Sequence, residues 1–411
     1  MEICPHIQCT GCAACKEICP KQCITMLPDE LASLHPEVDM SQCIDCGLCR
    51  KVCPNNHPLP TNKVQKVYAA WSNDEVQRLS SASGGIAYEL YKFIIRQNGV
   101  GAGVVLDEDG CRFILVENED DIKRTKNSKY VFSDTNGIYQ KVRDRLTKGQ
   151  KVLFIGLPCQ VAGLYSYLRG KSTGLYTVDI ICHGIAPYEY LEQHIKHIES
   201  KKKQRANTIS FRDPRFKTCT YTFTISDKRN QVFYRKDGRK YDAWQLGYHR
   251  GLIYRENCYQ CRYAQRDRVG DLTIGDFSGL GQVESIHYDW YNVSCVLCNT
   301  DKGQELIEQT KDSITYDERP PQEAFEYEHQ LKCPYPRHAK REEFVKVYVR
   351  TKSFTKATNV CLKRDRLGNL ISNCTMFVNQ WTIRLPYRIY RYVRKKCYDA
   401  LFYNNYRYRG R

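Results

Sequence analysis

Beyond residue 60 the apolar positions fall into short runs and stripes with the two periods of regular structure. Val64 to Trp71 reads as a strand, and after the polar loop SNDEVQRLSSASGG a stripe of Ile86, Ala87, Leu90, Tyr91, Ile94 and Ile95 recurs at helical spacing. AGVVL and RFILVE follow as strands, then a helical stretch near Gly137 to Leu146, the strand KVLFI, a helix after Pro158, the strand LYTVDII and a helix from Pro187. Strand and helix in succession predict an α/β sheet of mainly parallel order. From Asn207 the texture changes: TCTYTFTIS and QVFYR alternate around the turn DKRN and predict an antiparallel hairpin. Residues 299–345 read as helix and loop, and the stretch beyond 346 is basic and aromatic. GVGAGVV, at Gly99 to Val105, reads as a helix stop leading into a strand, because no downstream ribose-binding acid accompanies its glycines.

The first 60 residues lack such periods and are organised by cysteine. CTGCAACKEICP from Cys9 and CIDCGLCRKVCP from Cys43 both spell C-x2-C-x2-C-x3-C-P, the spacing of a bacterial-type [4Fe-4S] pair. In such a pair the fourth cysteine of each run serves the other cluster. One cluster is therefore assigned to Cys9, Cys12, Cys15 and Cys53, and the other to Cys43, Cys46, Cys49 and Cys19. Zinc suits CxxC pairs too, but it would leave the third cysteine and the Cys-Pro of each run idle. Cys4 and Cys23 fall outside both motifs. The linker NNHPLPTNK closes this segment.

These patterns predict an α+β multidomain chain: a small ferredoxin-like cluster domain at 1–60, a mixed α/β region with an antiparallel portion, and a basic helical tail at 346–411. The formal charge is +17, and residues 384–411 carry nine Lys or Arg against the single acid Asp399. Arg388, Arg391, Arg394 and Lys395 interleave with Tyr387, Ile389, Tyr390, Tyr392 and Val393, a pattern suited to a helix lying on an anionic membrane surface or to an acidic partner. No nucleic-acid-binding fold accompanies the charge. No apolar run is long enough to span a bilayer. The opening MEICPHIQC has neither a basic nor an apolar leader segment, so the 22 cysteines are expected in a reducing cytoplasm.

Four further segments carry chemistry: SASGGI at 81–86, KNSKYVFS at 126–133, GLPCQVAGL at 156–164 and CYQCRYAQRDRVGDLTIGD at 258–276. Ser83, Gly84 and Gly85 before a helix can present N–H groups and a hydroxyl to a phosphate. Lys129 can set a cation beside a phosphate or an electron-rich ring. Cys295 and Cys298 alternate in a strand-like run, so they are expected to face opposite sides of a sheet as packing residues. Asp271 and Asp276 flank a short apolar strand within VGDLTIGD, either to orient a site or to form turns. His183 reads as a proton donor or a hydrogen-bonded structural histidine.

Together the four segments resemble the coenzyme F420 hydrogenase/dehydrogenase beta-subunit family over residues 64–325, with regions at 64–150 and 151–325. Asn127 and Leu157 stand where that family usually has Gly and Thr. The resemblance implies an iron–sulfur flavoprotein oxidoreductase, in which FAD joins hydride chemistry to one-electron clusters. It implies Ser83, Gly84, Gly85, Lys129 and Tyr130 for the flavin pocket, and a third [4Fe-4S] cluster on Cys159, Cys182, Cys258 and Cys261. The expected partners are a small-molecule substrate and a redox protein such as ferredoxin or an oxidoreductase subunit. The alternatives are a non-catalytic electron-transfer subunit and a coenzyme F420-dependent reductase.

Overall fold

A computed structural model of the chain describes residues 1–238 and 242–363. At its start, backbone turns around cysteines replace an apolar face. Helix α1 (Ala14–Ile18) leaves a left-handed residue, Ala13, and is followed by the antiparallel pair β1 (Ile24–Pro28) and β2 (Leu34–Val38), with Ile24 opposite Val38. Helix α2 (Leu48–Lys51) likewise leaves a left-handed Gly47. One short helix thus follows the middle of each cysteine motif.

The larger part begins with β3 (Lys66–Ser72), α3 (Glu75–Ser80), α4 (Ile86–Arg96), β4 (Val100–Asp107), β5 (Gly110–Val116) and α5 (Glu119–Thr125). Then come α6 (Ile138–Thr147), β6 (Val152–Gly156), α7 (Pro158–Leu168), β7 (Leu175–Ile180) and α8 (Tyr188–Lys202). A three-stranded antiparallel sheet follows, from β8 (Thr208–Ser210), β9 (Phe223–Ser226) and β10 (Val232–Lys236). The strands β11 (Leu272–Asp276), β12 (Ser294–Cys298) and β13 (Ile314–Glu318) return to the main sheet, whose order is β13-β3-β12-β11-β7-β6-β4-β5.

The expectation of mainly parallel order is corrected here. Only β11/β7, β7/β6 and β6/β4 are parallel, whereas both flanks are antiparallel. The parallel centre coincides with the uninterrupted apolar run of β6, which is buried along its whole length, as a strand covered on both faces must be. The flanks arise because β3, from the start of this region, inserts between β12 and β13. β13 itself lies inside the stretch expected to be helix and loop, where its ITYDE pattern alternates as an edge strand does.

Helix α4 buries Ile86, Leu90, Tyr91 and Ile94 on one face of the sheet, with Tyr68, Val178, Leu272 and Val296. Helices α6 and α7 cover the other face, where Val100, Phe154 and Leu175 share a core with Cys9, Cys15, Val52 and Cys53. The cysteine-rich segment therefore packs on the α6/α7 side, and Met1–Cys361 forms one compact unit. Cys295 and Cys298 do face opposite sides, in separate cores. The expected tail boundary at 346 cuts the helix Arg341–Thr351, and this helix is followed by Phe354–Cys361. Phe344, Tyr348 and Phe354 from these helices pack around Tyr190 of α8. The basic stretch 384–411 lies outside the described residues. Among the described residues no helix is long and apolar enough to cross a membrane.

Candidate functional site: three thiol sets and a cleft

The first thiol set is buried. Cys9, Cys15 and Cys53 are each at most 8% exposed, and Cys12 interacts electrostatically with Cys9 and Cys53, as Cys15 does with the other three. A fifth thiol, Cys4, hydrogen-bonds to Cys53 and Cys9. That bond from Cys4 holds Cys9 down to about 4 against the opposing effect of burial, with His35 assisting. Burial pushes Cys12 up to about 12.

Three buried polar atoms beside this set have no hydrogen-bond partner: Thr10 Oγ1, His35 Nδ1 and Arg255 Nη1. Thr10 adjoins Cys12, His35 adjoins Cys9, and Arg255 donates its Nη2 to the carbonyls of Cys9 at 3.3 Å and Leu34 at 3.0 Å. Unpaired buried donors are rare and costly. Their convergence fits an electron-rich group such as a thiolate-ligated cluster.

The second set lies nearer the surface. Cys46 is exposed, Cys43 and Cys19 are half-buried, and only Cys49 is buried. Cys19, Cys43, Cys46 and Cys49 line one small hollow with Ile24, Ile44 and Leu48. Cys23, outside the motif, sits 3.4 Å from Cys19, sulfur to sulfur. Each set thus has one extra neighbouring thiol, a pairing that spacing alone does not indicate.

The third set also converges. Burial raises the Cys159 thiol well above its ordinary range, and Cys261, Cys182 and Cys258 add to the effect, followed by Cys12 of the first set. Cys258 is pushed up to about 12, first by burial and then by Cys261. Helix α7 links the first and third sets. Cys159 stands in its first turn, and one turn later Gly163 lets the Cys12 loop approach. A Cβ at Gly163 would lie 2.7 Å from Tyr139 Oη and 3.2 Å from Cys12 Sγ.

The CxxC loop is tied to β7 by a buried ion pair. Arg268 Nη2 meets Asp179 Oδ1 at 2.7 Å, while Asp179 Oδ2 accepts the N–H groups of Val269 and Gly270 at 3.2 and 2.9 Å. Thr273 Oγ1 also donates to the same carboxylate, to Oδ1 at 2.8 Å. Asp179 lies three residues before Cys182, so this network fixes Cys182 relative to the loop bearing Cys258 and Cys261.

Cys182 also lines a cleft of about 360 Å³ at the ends of β6, β7 and β11, together with Ser83, Gly85, Lys129 and Tyr130. Helix α4 opens on it from Gly85, which is left-handed at φ 85°, and no side chain caps this helix start. The buried Asn127 Oδ1 lacks a hydrogen-bond partner and belongs to the same wall. An apolar cleft with an uncapped helix start fits a planar cofactor carrying phosphates.

The five expected flavin residues differ in what they do. Ser83 Oγ donates to the carbonyls of Val293 at 3.0 Å and Gly275 at 3.3 Å. Gly84 is spent on packing: its N–H meets Ser294 Oγ at 2.8 Å, and a Cβ there would collide with the Ala70 carbonyl. Lys129 donates to the carbonyls of Thr125 and Lys126 at the end of α5, and burial lowers it to about 8. Tyr130 stacks on Tyr248 with ring centroids 4.6 Å apart.

Asp271 and Asp276 part company. Asp271 Oδ2 accepts the Thr177 N–H and hydroxyl, both at 2.8 Å, which joins β11 to β7. Asp276 faces the cleft and takes Arg212 Nη1 on both oxygens at 3.0 and 2.8 Å, with Tyr221 Oη at 2.8 Å. Arg212 in turn lies 4.4 Å from the Tyr221 ring centroid. His183 lines the same cleft.

His6, Asp29 and His35 also gather within ligand distance of one another. The two imidazoles are stacked, however, with centroids 3.7 Å apart and planes 15° from parallel. No single ion can lie in both ring planes, so the trio is a hydrogen-bonded stack and not a metal centre.

Residues 8–57 match the model of the 4Fe-4S dicluster domain, and residues 149–324 match that of the C terminus of the coenzyme F420 hydrogenase/dehydrogenase beta subunit. Over 102 residues the chain is 28% identical to the coenzyme F420-dependent sulfite reductase of Methanocaldococcus jannaschii, which takes in 24% of this chain and 15% of that protein. A chain of the F420-reducing [NiFe] hydrogenase complex from Methanosarcina barkeri superposes with a TM-score of 0.42 and 17% identity, over 62% of this chain and 83% of that one. The chain is thus an iron–sulfur protein that carries a 4Fe-4S dicluster domain at residues 8–57 and, at residues 149–324, a region matching the C terminus of the coenzyme F420 hydrogenase/dehydrogenase beta subunit.

Proposed function

We propose that the chain relays single electrons between a redox partner protein and FAD bound in the cleft, where a small molecule is reduced or oxidised. The observation that carries this reading is the succession of thiol sets. The exposed second set adjoins the buried first, Cys12 of the first stands beside Cys159 of the third, and Cys182 of the third lines the cleft. FAD supplies the exchange between two-electron and one-electron chemistry when bound.

This chain's residues hold and shield it. The start of α4 at Gly85 receives phosphate, Tyr130 stacked on Tyr248 gives an aromatic wall, and the Lys129 cation sits within that wall. Arg212, fixed by Asp276, orients an anionic group of the acceptor. Cys159, Cys182, Cys258 and Cys261 carry a third [4Fe-4S] cluster in this reading.

The exposure of Cys46 beside exposed Ile44 also favours a second reading, a non-catalytic subunit docking a partner at the second set. One sample separates the two. The anaerobically purified chain should contain about twelve iron atoms and stoichiometric releasable FAD, and should reduce or oxidise small acceptors, coenzyme F420 among those screened. About eight iron atoms removes the third cluster. Clusters without flavin, with redox change only on adding a partner protein, establishes the second reading.

A further inference from the structure

The buried first set poses an electrostatic problem that its neighbours solve. A thiolate-ligated cluster is already negative, and adding an electron away from water is unfavourable unless donors face the sulfurs. Asp29 is held rigidly for such a purpose: its Oδ1 accepts the N–H groups of Leu31 and Ser33, both at 2.8 Å, so that Oδ2 points at the imidazoles. His35 Nε2 lies 3.3 Å from that Oδ2, and its Nδ1 is buried beside Cys9 without another partner. With Nε2 at Asp29 and Nδ1 beside Cys9, each ring nitrogen faces a hydrogen-bond acceptor. His6 stacks over its outer side. Arg255, 1% exposed, reaches across from the larger part of the chain to the Cys9 carbonyl and keeps Nη1 unpaired beside the same set.

We propose that His35, held by Asp29, donates to the Cys9 thiolate and, with Arg255, keeps the buried first cluster reducible by raising its potential. This inference rests on the reading that Cys9, Cys12, Cys15 and Cys53 hold a cluster. The role is one of positioning: neither residue ligates iron. At the second set the Asp45 N–H, which meets Cys43 Sγ at 3.4 Å, and solvent at the exposed Cys46 face the sulfurs instead.

The test is a potentiometric titration of the full, reconstituted chain followed by electron paramagnetic resonance. In His35→Leu, at the wild-type midpoint, the reduced-to-oxidised ratio of one cluster should fall about tenfold, equivalent to about 59 mV for a one-electron couple, while the other signals stay in place. His35→Asn, which returns an N–H near the Nδ1 position, should recover the greater part of the shift. An unchanged midpoint in His35→Leu with full iron content overturns the inference. If His35→Leu loses iron, Asp29→Asn decides: a smaller shift of the same sign supports the donor chain, and no shift overturns it. A wild-type chain without the first cluster's signal overturns instead the reading beneath it, so the two failures are distinguishable.

Discussion

The two cysteine motifs are written almost identically, yet the structure gives them opposite settings. Cys9, Cys15 and Cys53 are buried among Thr10, His35 and Arg255 against α7, whereas Cys46 is exposed and Cys19 and Cys43 are half-buried. Spacing decides which thiols meet, and the surroundings decide what the meeting place does. A water-facing set suits exchange with another protein. A buried set lined by donors and joined to α7 suits passage inward. The comparison would fail if the two sets proved equally accessible. Under a ferrous chelator, iron should leave in two phases, the first of about four atoms, separated from the rest by at least ~10³ in rate, since buried sites open only through larger unfolding. Cys46→Ala should abolish the fast phase and leave the slow one, and a single phase would erase the distinction.

The buried side can also be broken selectively. Asp179→Asn leaves Arg268 as an unpaired charge inside the protein and unties the CxxC loop, at a cost of about 3–5 kcal/mol. Denaturant unfolding should register that loss. Iron bound at Cys159, Cys182, Cys258 and Cys261 should go first, and the second set should keep its own. Loss of iron from the second set instead would mean that the two regions are not independent. A finer cut is Gly163→Val, which pushes the Cys12 loop away from α7 and costs about 1–3 kcal/mol by overpacking. Reduction of the second set should proceed at its normal rate while transfer on to the cleft slows, a split that stopped-flow absorption would resolve.

Much of this contrast is hidden from the sequence for physical reasons. Ligand spacing is local, so both motifs, the CxxC at Cys258 and the thiols at Cys159 and Cys182 stand out as marks on the chain. So do β6 and α4, whose apolar patterns are long and regular. What spacing cannot carry is partnership at long range. Asp179 and Arg268 are separated by most of a domain, and Asp29 and His35 look like ordinary loop polar residues until β1 and β2 pair. The antiparallel flanks follow from β3 slipping between β12 and β13, a choice written in no local period. Glycine before a helix often faces a phosphate, which is the expectation for Gly84. Here the crowded approach of Ala70 and Ser294 is what demands it.

The smallest effect separates the cleft from both dicluster sets. Burial, opposed by Cys111, lowers Lys129 from its usual range to about 8, so the folded chain gives up the ammonium proton more readily than the unfolded chain does. Below pH 8 the cation is present and its burial penalty is constant. As pH rises from about 8 toward the usual lysine range, that penalty disappears and stability rises relative to a variant without the amine. Anion binding runs the other way, since only the cation attracts phosphate. FAD affinity for the flavin-depleted chain should therefore fall above pH 8, by at most about tenfold per unit. Lys129→Met should flatten the profile, and iron release from the second set should show no matching pH dependence. A Lys129→Met profile that still falls through pH 8 would place the titrating group elsewhere and remove Lys129 from the phosphate-facing wall.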